Sequence, residues 1–354
     1  NIVYQIYMKF LLLVFFTSSL LSESMQYKEY DFNRTKREYL VYEPENFYKD
    51  STKKLVIGFH GYSGTASAFE SEITGGLNLI AEKYNFLAVY PQGKYFFDLE
   101  TYTSKTFISS WNDLTGSVTK TPNGETCDID ADIYPKYPDC PDTGRCSWQT
   151  CADDIGFINS LIDFLKEKYE IDEIYLIGNS GGGMFVTAFA CSYPEKISGV
   201  LSVNGMQAKD LACTPDRPVN AILYGSLKDT GVPPVDIRSD DGYFWEPLEN
   251  TINSWAKKFK CNKVSENKFS FKENYVENTY SSCDQNKRVI SILNLDAEHV
   301  WPETGYIDDT KSIYIPYGYC ATDIQSYLGY QKCETINDNS VTEFLITKLF
   351  EFKI

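Results

Sequence analysis

The chain has 354 residues, 43% of them hydrophobic, and 33 Lys and Arg against 49 Asp and Glu give a formal net charge of −16. That length and apolar content suit one large α/β domain and argue against global disorder. The acidic balance argues against nucleic acid or an anionic membrane as a partner.

Met8-Lys9, the apolar run Phe10–Phe16 and small polar residues to Ser24 have the make-up of a secretory signal peptide. The run is too short to span a membrane. Residues 1–24 are therefore expected to be an N-terminal extension with a signal, and 25–354 a single secreted, monomeric domain. Ten cysteines lie beyond the signal, at 127, 140, 146, 151, 191, 213, 261, 283, 320 and 333. An even number in an exported chain reads as disulfides. With no Cys-x-x-Cys pair and only two histidines, His60 and His299, no zinc site is expected.

Residues 27–42 alternate loosely and predict entry strands in a hairpin. Lys54–Phe59 is a short apolar run that predicts a buried strand ending in the loop His60-Gly61-Tyr62-Ser63-Gly64. A helix is expected over 66–84 and a second buried strand over Phe86–Tyr90. From 94 to 151 the pattern dissolves into Tyr, Thr, Asp, Pro and Cys, which predicts a disulfide-stapled insertion acting as a lid or substrate wall. Within it, Asp128-Ile129-Asp130-Ala131-Asp132 opens like a calcium loop, but Ile133 stands where the sixth-position glycine belongs. It reads as a solvated acidic turn, with no metal. Apolar residues at 155, 158, 161, 162, 165 and 169 have helical spacing. Strands are expected at Gly199–Val203, Val219–Tyr224 and Val289–Leu295, and helices at Leu248–Phe259 and 341–351, with an irregular Tyr-rich stretch over 303–335. Short apolar strands alternating with helices predict an α/β fold with a doubly wound, mostly parallel sheet.

The chemistry centres on Ile174–Ser192, which reads as strand, tight turn and helix. Gly178-Asn179-Ser180-Gly181-Gly182 fits G-x-S-x-G, in which a sharp turn lifts a serine hydroxyl clear of the sheet edge. Ser180 is thus the candidate nucleophile. His299, just past the last apolar strand, is the only histidine downstream of it and the candidate base. Asp229, after the strand 219–224, is the first choice for the orienting acid, with Asp236 second and Asp240 or Asp241 more remote. His60 precedes the serine and reads as structural. The loop after it suits an oxyanion hole, with backbone N–H donors from Tyr62 and Gly181. Trp111 and Trp301 are placed as substrate-binding side chains that could stack on an aromatic acyl group.

Together HGYSG, YPQG, GNSGGGM, FACSYP, CTPDRPV, ILYGSLKDT, VPP and HVWP resemble the secreted esterase family that includes polyhydroxybutyrate depolymerases and fungal feruloyl esterases. The resemblance covers about residues 54–302 and implies an α/β-hydrolase fold. It implies the same Ser180, Asp229 and His299 as catalytic residues, Tyr62 and Gly181 as oxyanion donors, and disulfides Cys191–Cys213 and Cys261–Cys283. A local Cys320–Cys333 closure is also expected. The resemblance implies a cofactor-free esterase acting on feruloyl esters of plant cell-wall polysaccharide. Acetylated xylan and hydroxybutyrate polyester are the alternative substrates, and a non-catalytic binding protein on the same fold is the alternative of another class. The 94–151 and 303–335 segments depart from the family pattern.

Overall fold

The computed structural model describes residues 25–98, 107–115, 118–140, 148–308, 313–316 and 340–352. The expected signal segment and the Cys320–Cys333 closure lie outside them.

In chain order the strands are β1 (Gln26–Phe32), β2 (Thr35–Tyr42), β3 (Lys54–Phe59), β4 (Phe86–Pro91), β5 (Lys94–Phe97), β6 (Phe107–Ser110), β7 (Lys120–Thr121), β8 (Gly124–Glu125), β9 (Glu173–Asn179), β10 (Gly199–Val203), β11 (Ala221–Ser226), β12 (Lys263–Ser270), β13 (Asn274–Ser281) and β14 (Val289–Asn294). A short pair, Gly305–Asp308 with Ile313–Pro316, follows. The main helices are α1 (Leu77–Tyr84), α2 (Asp154–Tyr169), α3 (Gly181–Ser192), α4 (Leu248–Lys258) and α5 (Ser340–Phe350).

Ten strands form one sheet in the order β1-β2-β4-β3-β9-β10-β11-β14-β13-β12. The six from β4 to β14 run parallel, and an antiparallel pair closes each side. Residues alternate across the strands, so the sheet feeds two cores. Leu55, Ile57 and Phe59 of β3 pack with α2, α3 and α4, while Val56 packs on the other face with α1 and α5. Helices on both faces of a mainly parallel sheet explain why the central strands are apolar runs rather than alternating ones. The chain lays β4 on one side of β3 and β9 on the other. Open α/β sheets bind ligands at such a reversal, outside the C-terminal ends of the strands, here those of β3 and β9.

Two expectations change and one hairpin was not expected. The helix expected over 66–84 is broken. Ala66–Ala68 runs into a wider turn at Phe69–Ile73, then Gly75 and Gly76 at φ 75° and 102° reset the chain before α1. The hairpin β12–β13 had no strand signal, because β12 is exposed almost throughout and carries no apolar alternation. The 94–151 insertion is not uniformly irregular. β5 pairs with β6, and Phe107, Ile108, Ser109, Ser110 and Trp111 are buried.

The disulfides implied by the resemblance, Cys191–Cys213 and Cys261–Cys283, are both present. Cys140–Cys151 joins the insertion to the segment leading into α2, and Cys127 is also disulfide-bonded. Among the described residues no helix is long and apolar enough to cross a membrane.

Candidate active site

Ser180 follows β9 directly and precedes α3, at φ 55° and ψ −124°. A positive φ on a residue with a Cβ is costly and persists only when its surroundings impose it. The flanking glycines show what does so. A Cβ on Gly178 would stand 2.2 Å from the Gly182 carbonyl oxygen, and one on Gly182 would stand 2.2 Å from the Phe59 carbonyl oxygen. β3, β9 and α3 thus meet backbone to backbone, and only glycine permits the approach. The Ser180 N–H donates to the Val203 carbonyl at 2.8 Å, which ties the turn to β10. α3 is buried along most of its length, and its positive N-terminal end begins at the residue after Ser180.

Ser180 Oγ lies 2.8 Å from His299 Nε2, and His299 Nδ1 lies 2.6 Å from Asp229 Oδ2. With Nδ1 protonated, the imidazole donates to Asp229 and accepts from the Ser180 hydroxyl. The Asp229 side chain is fully buried, whereas that of His299 is 29% exposed. Asp229 Oδ1 accepts from the backbone N–H groups of Gly231 and Val232 at 2.9 and 2.8 Å, so both carboxylate oxygens are committed. The loops carrying the acid and the histidine hold each other. Leu227 N–H donates to the Asn294 carbonyl and Lys228 N–H to the Ala297 carbonyl. The buried Asn294 side chain accepts from Asp296 and Ala297 N–H, and Asn204 Nδ2 donates to the Val300 carbonyl at 2.8 Å. The alternative acids stand elsewhere. Asp236 pairs with Lys209, and Asp241 accepts from Ser239 and Tyr134.

The His60–Gly64 loop lies against Ser180: a Cβ on Gly61 would stand 3.1 Å from Ser180 Cβ. His60 is buried and turned away from the serine. Its Nδ1–H donates to the Gly61 carbonyl at 2.8 Å, and its Nε2 accepts from the Gly93 N–H at 2.9 Å. Burial pushes this imidazole down to about 4, so it is neutral near pH 7. Ser63 N–H donates to the Ser109 carbonyl and the Ser109 hydroxyl to the Gly64 carbonyl, so β6 braces the loop. Tyr62 N lies 3.6 Å from where a Cβ on Gly181 would stand, which puts both expected oxyanion donors beside one point.

Neither tryptophan expected to bind substrate is placed to do so. Trp111 is 1% exposed, packs between Phe59 and Phe185, and donates its Nε1–H to the His60 carbonyl at 2.9 Å. Its structural effect is to hold the loop backbone. Trp301 is also 1% exposed, packs edge-on against Phe69 in the opposite core, and donates to Thr342 of α5 at 2.8 Å. A large apolar ring in a chain with this much core to fill is buried unless something keeps it out, and nothing does at either position.

The rings near the site are others. Tyr62, Tyr134 and Trp148 are in mutual ring contact, and Trp148 stacks on Tyr243 at 5.1 Å and 7°. Tyr62 and Tyr134 are partly exposed, while Trp148 and Tyr243 are buried. These residues are scattered through the sequence with no shared motif, so only the fold collects them. In the acidic turn, Asp128 and Asp130 pair with Arg238. Among the described residues no group of three or more His, Cys, Asp or Glu is arranged to hold a metal ion.

Residues 135–225 match the family model described as alpha/beta hydrolase fold. Over 102 residues the chain is 30% identical to the poly(3-hydroxyalkanoate) polymerase subunit PhaC of Thiocystis violacea, which covers 28% of this chain and 24% of that protein. The chain thus spans about a quarter of the length of that curated relative. Among solved structures it is similar to an acetyl xylan esterase from Aspergillus awamori, with 15% identity over 78% of this chain and 95% of that one and a TM-score of 0.49. It is also similar to a ferulic acid esterase, with 14% identity over 58% and 80% of the two chains and a TM-score of 0.36. The matched segment contains the turn bearing Ser180, and strand order and helix placement agree with it: the chain has the α/β-hydrolase fold.

Proposed function

We propose that this chain is a secreted serine carboxylesterase that works through an acyl-enzyme. The observation that carries the reading is the hydrogen-bonded chain from Ser180 through His299 to Asp229, at 2.8 and 2.6 Å. In this reading Ser180 Oγ attacks the acyl carbon and its proton passes to His299 Nε2. The Tyr62 and Gly181 N–H groups hold the resulting oxyanion. The alcohol leaves with the proton from His299, and water then repeats the sequence on the acyl-enzyme. Asp229 keeps the imidazole in the tautomer that can accept from serine and stabilises its cation.

We assign feruloyl esters of plant cell-wall polysaccharide as the substrate class. The motif resemblance supports this, as do the partly exposed rings of Tyr62 and Tyr134, which pack on each other and on Trp148 and offer an aromatic acyl group a stacking wall. Disulfides at Cys140–Cys151, Cys191–Cys213 and Cys261–Cys283 support an oxidising, extracellular setting. The test is hydrolysis of methyl ferulate and p-nitrophenyl acetate by the wild type and Ser180→Ala. Ferulate turnover abolished in the variant is the expected result. Acetate turnover alone moves the assignment to a small acyl group, and no serine-dependent turnover of either ester refutes the feruloyl and acetyl readings.

A further inference from the structure

The point where a Cβ on Gly181 would stand is open. Apart from its chain neighbours and its own helix, the described atoms within 4 Å of it are two nitrogens, Tyr62 N at 3.6 Å and Trp148 Nε1 at 3.8 Å. Gly181 adds its own N–H, which opens α3 and has no acceptor within the helix.

Trp148 is 7% exposed, and its indole Nε1 is buried with no hydrogen-bond partner among the described residues. A buried donor left unpaired is costly, and most are paired. The ring cannot readily turn to find an acceptor. It is stacked on Tyr243 and packed against Trp245 and Tyr134, with ring centroids between 5.1 and 5.2 Å away. Phenylalanine would satisfy that packing without the unpaired N–H. The donor is therefore fixed beside the position where two further N–H groups lie.

We propose that the Trp148 indole N–H is a third donor to the ester oxygen held by Tyr62 and Gly181, and so a catalytic residue. The proposal rests on the serine-esterase reading above. As the Ser180 Oγ–C bond forms, the carbonyl π pair moves onto that oxygen and the serine proton passes to His299 Nε2. A pre-aimed donor stabilises the new charge without having to reorganise. It acts on the carbonyl common to every ester, so its contribution does not depend on the acyl group.

The experiment compares wild type, Trp148→Phe and a protein carrying benzothienylalanine at 148, which keeps the bicyclic ring but replaces N–H by sulfur. Each is assayed on p-nitrophenyl acetate and methyl ferulate, and for inhibition by an aryl trifluoromethyl ketone, whose Ser180 adduct is a tetrahedral oxyanion. Loss of one oxyanion donor lowers kcat by roughly 100- to 1000-fold in other hydrolases. The expected result is a fall in kcat/KM of that order on both esters, carried by kcat, with inhibitor affinity weakened by a similar factor. The benzothienyl protein is expected to keep the wild-type Tm, so its loss of rate reports the donor even if Trp148→Phe packs poorly. Rates within threefold of wild type on both esters overturn the proposal, as does unchanged inhibitor affinity. A loss confined to ferulate also overturns it and makes Trp148 part of the acyl wall. In each of these cases wild-type turnover that disappears in Ser180→Ala leaves the esterase reading standing. Absence of any Ser180-dependent turnover overturns both.

Discussion

Replacing Asp229 by asparagine tests the hydrogen-bonded chain at its buried end. The new side chain must satisfy two backbone donors, Gly231 and Val232 N–H, that now converge on Oδ1. Its carbonyl oxygen takes that place, because the amide NH2 would set donor against donor. The NH2 then faces His299 Nδ1, where Oδ2 now accepts at 2.6 Å. An NH2 there needs an acceptor, so the imidazole is driven to the tautomer with Nδ1 bare and Nε2 protonated. That tautomer cannot take the proton from Ser180 Oγ, 2.8 Å away. The corresponding change in a serine protease triad costs about 10⁴-fold in kcat with little change in geometry, and we expect a loss of that order here. KM should move little, because Asp229 is buried behind the histidine. The assay is steady-state hydrolysis of p-nitrophenyl acetate, with Asp236→Asn as the comparison. Asp236 is exposed and paired with Lys209, so that variant should retain wild-type turnover. A kcat for Asp229→Asn within tenfold of wild type, or a larger loss in Asp236→Asn, would show that Asp229 does not orient the base.

Two further expectations concern stability. Burial raises the Glu70 carboxyl from 4.5 to about 7, so it stabilises the fold below pH 4.5 and this contribution is lost as pH rises through 7; burial lowers His60 from 6.5 to about 4, so its contribution is present above pH 6.5 and lost as pH falls toward 4. The two slopes oppose each other between pH 4.5 and 6.5. Glu70→Gln should therefore gain on wild type by about 1.4 kcal/mol per pH unit across that window, and urea unfolding curves that stay parallel would contradict it. Asp154, fully buried, pairs with Arg37 at 2.6 Å and also accepts from Asn112 N–H and the Thr150 hydroxyl at 2.9 Å. Asp154→Ala should cost roughly 3–5 kcal/mol in denaturant unfolding by leaving Arg37 buried and uncompensated, and a loss below about 1 kcal/mol would refute that account.

The features legible in the sequence were those written in local pattern. Apolar runs such as Lys54–Phe59 and Glu173–Asn179 are central strands because both sheet faces are covered, and their order with the helices gives the doubly wound class. Ser180 is legible because its turn demands glycine on both sides, and His299 because the chain offers no other downstream histidine. Exposure of a tryptophan is not a local property. Trp301 sits two residues from His299 and Trp111 in the insertion expected to wall the site, but each follows its neighbours into a core. The β12–β13 hairpin was illegible for the opposite reason, since an exposed edge strand needs no apolar alternation. Trp148 and Asn204 had no signal at all. Each matters because of a group distant in the chain, Gly181 for one and the Val300 carbonyl for the other.

These distant contacts divide the labour of the fold. Ser180, Asp229 and His299 each follow a parallel strand, β9, β11 and β14, and the register of those strands sets their spacing. The loops that carry them are then fixed to the sheet and to one another by backbone carbonyls and buried amides: Ser180 N to Val203, Leu227 N to Asn294, Lys228 N to Ala297 and Asn204 to Val300. None of these bonds involves the 94–151 insertion. Its contribution lies on the other side of the serine, where β6 braces the His60–Gly64 loop, Trp111 holds the His60 carbonyl, and Tyr134 and Trp148 form the wall beside Gly181. Changes in the insertion should accordingly alter the oxyanion side and the acyl wall while leaving the Ser180–His299–Asp229 distances intact. On the serine-esterase reading, a site built this way can change its ester without rebuilding its proton relay.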